Sequence, residues 1–333
     1  MIGCSSFTIE TEDNKHLLSR TMDFMIEMAE QVVFVPRDKN FITSYSCQDE
    51  IEVKYAFLGM GEVSNNSPIL FDGVNEQGLT GATLYFPGFA VYHAEQRAGK
   101  INVSPDKVIP VVLALAKDLD AVAHLFANKL QIMNDSNPTL NTVPPLHFIF
   151  SDTTGKSLII EPGEEGVTII EDSIGVMTNS PDYHWHETNL RNYLSVSPNQ
   201  HQPVAFLNKT LRPFSQGSGT FGLPGDFTPP SRFVRTAFLK NNAFKPKNEV
   251  EAVSLSHHIL ESVSIPKGIV ITESQHSDYT CYSAYICSES QSYYFSTYGN
   301  QRISKITLTD ELKNSKDYQQ FKVSNEEDIC ALN

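Results

Sequence analysis

The 333-residue sequence has few cysteines and a deficit of positive charge. Its five cysteines are scattered and odd in number, which argues against a disulfide framework and is typical of a reducing cytoplasm. They are Cys4, Cys47, Cys281, Cys287 and Cys330. Lysine and arginine together number 25 against 39 acidic residues, so the formal net charge is -14. This balance excludes the clustered basic surface with which proteins bind nucleic acids.

Long apolar runs and targeting segments are also missing from the chain. No stretch of about 18 apolar residues occurs, and the first residues have neither the basic segment nor the apolar stretch of a secretory signal. Hydrophobic residues nevertheless make up 40% of the sequence, which is enough for a sizeable core. We therefore expect a soluble cytoplasmic protein that has no membrane partner.

Signatures of nucleotide, metal and serine-hydrolase sites are absent as well. The sequence has no Gly-x-x-x-x-Gly-Lys-Ser/Thr, and its Gly-Ser-Gly at 217–219 does not complete a dinucleotide fingerprint. His184 and His186 are a conceivable metal pair, but no third ligand lies nearby in the sequence. Neither His-Glu-x-x-His nor a Gly-x-Ser-x-Gly elbow is recognised. We expect no cofactor and no bound metal.

The apolar pattern predicts blocks of strands and helices in alternation. A hairpin is expected from Phe7 to Leu18 around turn residues 12–15. Further strands are expected at 31–36, 55–58, 82–86, 146–150, 157–161, 167–171, 279–286 and 293–295. Helices are expected at 108–116, 119–130, 231–239 and 250–263, and an ordered loop at 198–230. This order indicates an α+β fold in which helices are segregated on antiparallel sheets, as a layered sandwich.

Cys4 is the residue with the greatest potential for chemistry. A thiol attacks as the thiolate, and a free cysteine with a pKa of about 8.5 needs a base. Removal of residues 1–3 would give Cys4 an α-amine with a pKa of about 7.7 to 8.0, which is suited to that task. Arg20 and Asp23 lie on the strand that the turn at 12–15 folds back alongside Cys4. Hairpin geometry therefore places both side chains near the thiol.

Several segments, taken in order, resemble the choloylglycine hydrolase family and most of all its penicillin V acylases. They are Cys-Ser-Ser-Phe-Thr-Ile at 4–9, Arg-Thr-Met-Asp-Phe at 20–24, Asp-Gly-Val-Asn-Glu at 72–76, Met-Thr-Asn-Ser-Pro at 177–181, and the stretch 222–233. The resemblance runs from Cys4 almost to the C-terminus. It implies an N-terminal-nucleophile hydrolase with an αββα four-layer sandwich, one catalytic domain over 4–333, no cofactor and a homotetramer.

The resemblance also implies roles for individual residues. Cys4 matches the nucleophile, and Arg20 and Asp23 match the pair beside it. Asn179 matches the side-chain donor to the oxyanion, and Arg232 matches the second active-site arginine.

Tyr85 and Met22 complete the implied site. Tyr85 falls where penicillin V acylases carry Tyr and bile salt hydrolases usually carry Asn, and its backbone N–H would complete the oxyanion hole. Met22 would line the acyl pocket.

The implied activity is hydrolysis of linear amide C–N bonds in a small N-acyl substrate. The expected reaction cleaves the side-chain amide of penicillin V through a thioester, giving 6-aminopenicillanic acid and a carboxylic acid. Two alternative enzymes cleave the same type of amide bond: a bile salt hydrolase that deconjugates glycine or taurine bile acids, and an N-acyl homoserine lactone acylase. A third alternative is a catalytically silent binding protein that keeps residues 1–3.

Residues 1–3 are expected to be a propeptide that is removed on maturation. Bulky Ile2 is a poor neighbour for simple removal of Met1, whereas the small Gly3 leaves its carbonyl accessible. We therefore hypothesise that Cys4 attacks the Gly3 carbonyl and releases the tripeptide itself.

Overall fold

The computed structural model describes residues 3–25, 31–64, 66–139 and 141–333. The first strands in these residues are β1 (Ser5–Glu10), β2 (His16–Phe24), β3 (Gln31–Val35), β4 (Asn40–Ile42), β5 (Glu50–Glu52), β6 (Phe57–Ser64), β7 (Ser67–Leu70), β8 (Asp72–Asn75), β9 (Thr80–Tyr85), β10 (Ile101–Val103) and β11 (Leu130–Ile132). The later ones are β12 (Leu146–Ser151), β13 (Ser157–Gly163), β14 (Gly166–Ile170), β15 (Val176–Met177), β16 (Val204–Phe206), β17 (Lys209–Leu211), β18 (Val270–Ile271), β19 (Ser277–Cys287), β20 (Ser292–Thr297), β21 (Ser304–Thr307) and β22 (Gln319–Lys322).

Helices are fewer than strands in the described ranges. The α-helices are α1 (Val108–Leu115), α2 (Leu119–His124), α3 (Tyr183–Asn189), α4 (Pro229–Asn242), α5 (Glu249–Glu261) and α6 (Asp310–Lys313). Short 3-10 segments span Pro105–Lys107, Leu190–Tyr193 and Ser218–Thr220, and a π-helical segment spans Leu125–Lys129.

The predicted N-terminal hairpin is confirmed as the antiparallel pair β1 and β2. Its turn is closed by Thr11, whose Oγ1 accepts the N–H of Lys15 at 2.7 Å. Asn14 occupies the left-handed region with φ of 59°, a conformation that Asn tolerates well. Because Ser5 pairs with Thr21 in this register, the residue before Ser5 lies toward the Phe24 end of β2.

Two large sheets form the centre of the molecule. In the described residues the first sheet has seven strands in the order β15-β1-β2-β19-β20-β21, with β18 paired to β19. The second has nine strands in the order β14-β13-β12-β9-β8-β6-β3-β22, with β7 paired to β6. Smaller pairs are β4 with β5, β10 with β11, and β16 with β17.

The two sheets pack face to face between outer helices. Strands β2, β19 and β20 of the first sheet contact β8, β9 and β12 of the second. Helices α4 and α5 pack on the outside of the first sheet, and α1 and α2 pack on the outside of the second. Two apolar clusters fill the layers, because the inward positions of the strands and the facing helix sides are buried. The predicted α+β four-layer sandwich is confirmed.

Short elements that the sequence did not predict include β4, β5, β10, β11, β18, β21, β22 and α6, and three further differences lie near the site or its loops. Helix α2 ends at His124 and continues as the π-helical segment Leu125–Lys129, so the helix expected to 130 is interrupted. The stretch 198–230, expected as a loop, contains the short exposed hairpin β16–β17. Helix α3 was not predicted, because its seven residues are too few to display an apolar period.

None of the helices in the described ranges is long and apolar enough to cross a bilayer. Within the same ranges, no group of three or more His, Cys, Asp and Glu side chains is placed to hold a metal ion.

Candidate active site

Cys4 lies at the start of β1, between the two sheets, and is only 3% exposed. Its Sγ accepts a hydrogen bond from Arg20 Nη2 at 2.8 Å and lies 3.7 Å from Met22 Sδ. Both neighbours are on β2, as the hairpin register requires. Burial raises the pKa of the Cys4 thiol, and the positive charge of Arg20 acts against that rise. The sulfur is therefore a thiol in need of a base.

Arg20 is fully buried, and its guanidinium is held on several sides. Nη1 donates to Asp72 Oδ2 at 2.8 Å and to the Tyr282 hydroxyl at 3.0 Å. Nη2 donates to Cys4 Sγ and to the carbonyl of Thr83 at 3.2 Å. A buried cation is tolerated only when it is paired and hydrogen-bonded, and this one satisfies both conditions.

Asp23 lies one residue beyond Met22 on β2 and is almost completely buried. The hydroxyl of Thr280 donates to its Oδ1 at 2.6 Å, and that of Thr21 donates to its Oδ2 at 3.2 Å. Arg232 Nη1 lies 4.0 Å from the same Oδ2. Burial raises the pKa of the Asp23 carboxyl to about 6, so the group is ionised at neutral pH.

Arg232 lies in the first turn of α4 and points into the site. A cation is unfavourable near a helix N-terminus, so its placement requires specific partners. Nη1 donates to the carbonyl of Cys4 and to Ser5 Oγ, both at 2.7 Å. Nη2 donates to Asn179 Oδ1 at 2.6 Å, and Nε donates to the carbonyl of Phe227 at 2.9 Å. Arg232 thus connects the nucleophile strand to the amide of Asn179.

Asn179 presents its amide between Arg232 and β9. Because its Oδ1 accepts from Arg232, its Nδ2 must face the other way, where it donates to the carbonyl of Tyr85 at 2.6 Å. An amide nitrogen carries two N–H donors, so one donor is left for a substrate oxygen. The orientation of this side chain is therefore fixed by charge-assisted bonding rather than by packing alone.

Two buried histidines hold the backbone at Asn179. His147 Nε2 lies 2.9 Å from the carbonyl of Thr178, and His186 Nε2 lies 2.8 Å from the carbonyl of Asn179. Since a carbonyl only accepts, both rings carry a proton on Nε2. Burial lowers the pKa of His186, whose ring also stacks on Phe233 at 4.7 Å. His186 is thus a structural donor that holds the Asn179 carbonyl.

Gly3 is the described residue that precedes Cys4, and it lies inside the site. Its φ is 75°, in the left-handed region that favours glycine. A Cβ at this position would lie 2.7 Å from Asn179 Nδ2 and 2.9 Å from Tyr85 Cβ. The Gly3–Cys4 peptide therefore lies beside the amide of Asn179. Met1 and Ile2, the rest of the predicted propeptide, are outside the described residues.

Tyr85 ends β9, and the direction of its backbone N–H follows from the strand alternation. The N–H of Phe86 donates to the carbonyl of Pro145 on one side, and that of Thr83 donates to the carbonyl of Phe71 on the other. Tyr85 has the same parity as Thr83, so its N–H points away from β12. The pairing of β8 with β9 begins at Asp72 opposite Ala82, so Tyr85 lies beyond the last paired residues and, within the described residues, its N–H has no partner strand on that side.

The structure brings all seven predicted site residues together around Cys4 and Gly3. Sequence reasoning assigned no role to Asp72, although it opens one of the quoted segments, and it did not identify Tyr282. It also did not identify His147 or His186 as supports of Asn179. The signal that could have identified Asp72 is a charged residue between the apolar residues Leu70 and Phe71 and the apolar Val74.

Comparison with known proteins finds a match over residues 4–321 to the family of linear amide C–N hydrolases, choloylglycine hydrolase family. The chain is 34% identical over 334 residues to a bile salt hydrolase/transferase of Clostridium perfringens, covering 99% of this chain and 100% of the relative. It is 32% identical over 313 residues to a conjugated bile acid hydrolase of Lactobacillus acidophilus, with 94% and 98% covered.

Solved structures resemble the whole chain. A variant of the conjugated bile acid hydrolase from Clostridium perfringens aligns with a TM-score of 0.92 and 33% identity, covering 99% of this chain and 100% of that one. A penicillin V acylase from Agrobacterium tumefaciens aligns with a TM-score of 0.77 and 22% identity, covering 97% and 93%. At that identity, the second likeness supports the fold alone.

Proposed function

The chain belongs to the choloylglycine hydrolase family and is a hydrolase of linear amide C–N bonds, and we propose that it deconjugates glycine or taurine bile acids. The observation that carries this substrate class is the similarity, over nearly the full length, to relatives named as bile salt or conjugated bile acid hydrolases. The predicted preference for penicillin V is not confirmed, because the penicillin V acylase from Agrobacterium tumefaciens is only 22% identical to this chain.

Penicillin V is kept as the second candidate substrate because of one residue. Tyr85 matches the residue type that penicillin V acylases carry, where bile salt hydrolases usually carry Asn. The Tyr85 side chain is half-buried, and its Cβ lies beside Gly3, on the acyl side of the amide that Cys4 is proposed to cleave first. A substitution of Tyr85 is therefore suited to testing which of the two substrate classes the site prefers.

The first prediction compares glycocholate, penicillin V and an N-acyl homoserine lactone on the purified enzyme. We expect kcat/KM for glycocholate to exceed that for penicillin V by at least about tenfold, a difference of about 1.4 kcal/mol in transition-state binding. Release of glycine and of 6-aminopenicillanic acid is measured by mass spectrometry. In Tyr85→Asn, the ratio should move further toward glycocholate.

A preference for penicillin V in the wild type would contradict the bile acid proposal. If the wild type preferred penicillin V and Tyr85→Asn preferred glycocholate, Tyr85 would be the residue that sets the specificity. Absence of turnover on every substrate, with residues 1–3 retained, would support the silent binding protein instead.

We propose that Cys4 is the nucleophile once residues 1–3 are removed. The α-amine takes the thiol proton, and Sγ attacks the acyl carbonyl. The site contains two buried arginines and two buried aspartates, Arg20 and Arg232 with Asp23 and Asp72, whose charges balance. Moving the thiol proton to the amine keeps the site neutral overall, so the proton transfer requires no further counter-charge.

We propose that the oxyanion is held by Asn179 Nδ2 and the backbone N–H of Tyr85. Fixed donors stabilise the charge that develops on the carbonyl oxygen. The α-ammonium then protonates the leaving amine, and the collapse of the tetrahedral intermediate gives a thioester on Cys4. Water hydrolyses the thioester with the amine again acting as base, and Met22 borders the acyl side of the sulfur.

We propose that residues 4–333 form the mature catalytic domain. The Gly3–Cys4 peptide lies against Asn179 and Tyr85, the groups proposed to hold a substrate oxyanion. This position supports the hypothesis that the first amide cleaved by Cys4 is its own.

We also propose that the protein acts in the reducing cytoplasm. No two cysteines of the described residues form a disulfide, and Cys330 is exposed. A reducing compartment keeps a nucleophilic thiol in its active form.

We propose that the mature protein is a homotetramer, and the second prediction tests it through the hairpin region 194–221. Several large apolar side chains stand exposed there, which is typical of an interaction surface: Leu194, Phe206, Leu207, Phe214 and Phe221. Light scattering should give four times the chain mass. Phe206→Ser combined with Phe214→Ser should lower that mass.

Phe244→Ser is the matched control, because Phe244 is 94% exposed but lies outside the hairpin region. It should leave the mass unchanged. A wild-type protein that elutes and scatters as a monomer would contradict the tetramer.

A further inference from the structure

We propose that Asp72 is a positioning residue for this hydrolysis, reaching from the second sheet to hold Arg20 against the Cys4 sulfur and to compensate the guanidinium charge. The inference rests on the proposed role of Cys4 as nucleophile. Asp72 does not touch the sulfur; it acts through Arg20, whose orientation and charge it controls.

Asp72 is fully buried at the start of β8, and both of its oxygens are occupied. Oδ2 accepts from Arg20 Nη1 at 2.8 Å and from the Tyr282 hydroxyl at 2.6 Å. Oδ1 accepts from the hydroxyl of Tyr293. The two tyrosines come from β19 and β20 of the first sheet, whereas Asp72 belongs to the second. The carboxylate therefore links the two sheets directly behind Arg20.

This link determines where the guanidinium points. The group is planar, so fixing Nη1 on Asp72 and Nε on the carbonyl of Thr21 at 2.9 Å leaves one direction for Nη2. That direction meets Cys4 Sγ at 2.8 Å. A guanidinium without the Asp72 contact would lose its ionic partner and keep neutral contacts to Thr21, Thr83 and Tyr282, which orient Nη2 toward the sulfur less firmly.

Asp72 also sets how strongly Arg20 acts on the sulfur. The charged groups that face the Cys4 thiol are Arg20, Asp23 and Arg232. Arg20 in turn faces Cys4, Asp72 and the Tyr282 hydroxyl. An uncompensated arginine stabilises a neighbouring thiolate and lowers the pKa of the thiol. Sharing the Arg20 charge with Asp72 therefore limits how far Arg20 offsets the effect of burial on Cys4.

The test replaces Asp72 with asparagine, which keeps the shape and an acceptor for Arg20 but removes the charge. The alkylation rate of Cys4 by iodoacetamide is measured against pH, and the modified peptide is identified by mass spectrometry. We expect the midpoint of the pH profile to move down by about one unit. We also expect kcat/KM for amide hydrolysis to fall, because the neutral amide holds the Arg20 guanidinium less firmly in the orientation that meets the Cys4 sulfur.

Tyr293→Phe is the matched control, since it removes one hydrogen bond from Asp72 and leaves every charge in place. Its alkylation midpoint should match the wild type, even if its melting temperature falls. An Asp72→Asn midpoint that is unchanged, or that moves upward, would overturn the proposal, because a purely structural residue would alter melting alone.

Asp72→Glu provides a second test in case the asparagine variant does not fold. The charge is retained while the longer side chain displaces the guanidinium, so we expect a wild-type midpoint with kcat/KM reduced by about tenfold. Hydrolysis at the wild-type rate would refute positioning by Asp72. If wild-type enzyme alkylated at Cys4 still hydrolyses amides, the nucleophile assignment fails instead, whatever the Asp72 variants show.

Discussion

Replacing Cys4 with alanine is expected to lower kcat/KM for amide hydrolysis by more than about a thousandfold, which is the third prediction. The reason is that the covalent route through the Cys4 sulfur is lost. Cys4→Ser is expected to be almost as inactive, because a buried hydroxyl next to an amine ionises far less readily than a thiol. Initial rates of glycine release from glycocholate are the measurement, and the melting temperature reports whether the variants fold.

Cys47→Ala and Cys330→Ala are the matched controls for this loss. Cys47 is half-buried and Cys330 is exposed, and neither touches a site residue. Both variants should keep wild-type rates. Hydrolysis by Cys4→Ala at more than about a tenth of the wild-type rate would rule out Cys4 as the nucleophile.

The balance of buried charge explains why Cys4 depends so strongly on its amine. Burial raises the pKa of the thiol, and the charge of Arg20 offsets this only in part. The nearby negative charge of Asp23 raises the pKa of the thiol further. An isolated thiolate would thus leave the site with an excess negative charge. The α-ammonium supplies the missing positive charge, so removal of residues 1–3 provides the base and the counter-ion together.

The part of the site that the sequence predicts is the part built by local chain geometry. Cys4, Arg20 and Asp23 belong to one hairpin, so a turn signal and strand alternation are enough to place them together. Asn179 and Arg232 are far away in the chain, and only the resemblance to a family placed them in the site. The structure explains that pairing, because Arg232 bonds to Cys4, Ser5 and Asn179.

The residues that sequence reasoning missed act across the sandwich. Asp72 meets Tyr282 and Tyr293 only because two sheets with separate registers pack face to face, and no periodicity within one strand carries that information. His186 acts locally instead, because the short helix α3 places its ring nitrogen 2.8 Å from the carbonyl of Asn179. From the sequence alone, His186 is recognised only as a partner of His184 in a conceivable metal pair.

Gly3 connects the fold to maturation, and its replacement gives the fourth expected result. Gly3→Ala should retain residues 1–3 and show almost no hydrolysis. An alanine Cβ would lie 2.7 Å from Asn179 Nδ2 and 2.9 Å from Tyr85 Cβ, and the backbone at φ of 75° is strained for any residue with a side chain. The Gly3 carbonyl would then be displaced from the groups that should hold its oxyanion. Intact mass and N-terminal sequencing are the measurements.

Gly99→Ala separates this steric effect from backbone strain alone. Gly99 has a φ of 78°, but a Cβ there would have no atom within 4 Å, so this variant should mature and hydrolyse normally. Deleting Ile2 and Gly3, so that loss of Met1 alone exposes Cys4, should restore full activity without any self-cleavage. A Gly3→Ala chain that loses residues 1–3 as fast as the wild type would refute attack by Cys4 on the Gly3 carbonyl. An inactive deletion variant would show that exposing the amine is not sufficient, because the site would lack some other element that residues 1–3 supply.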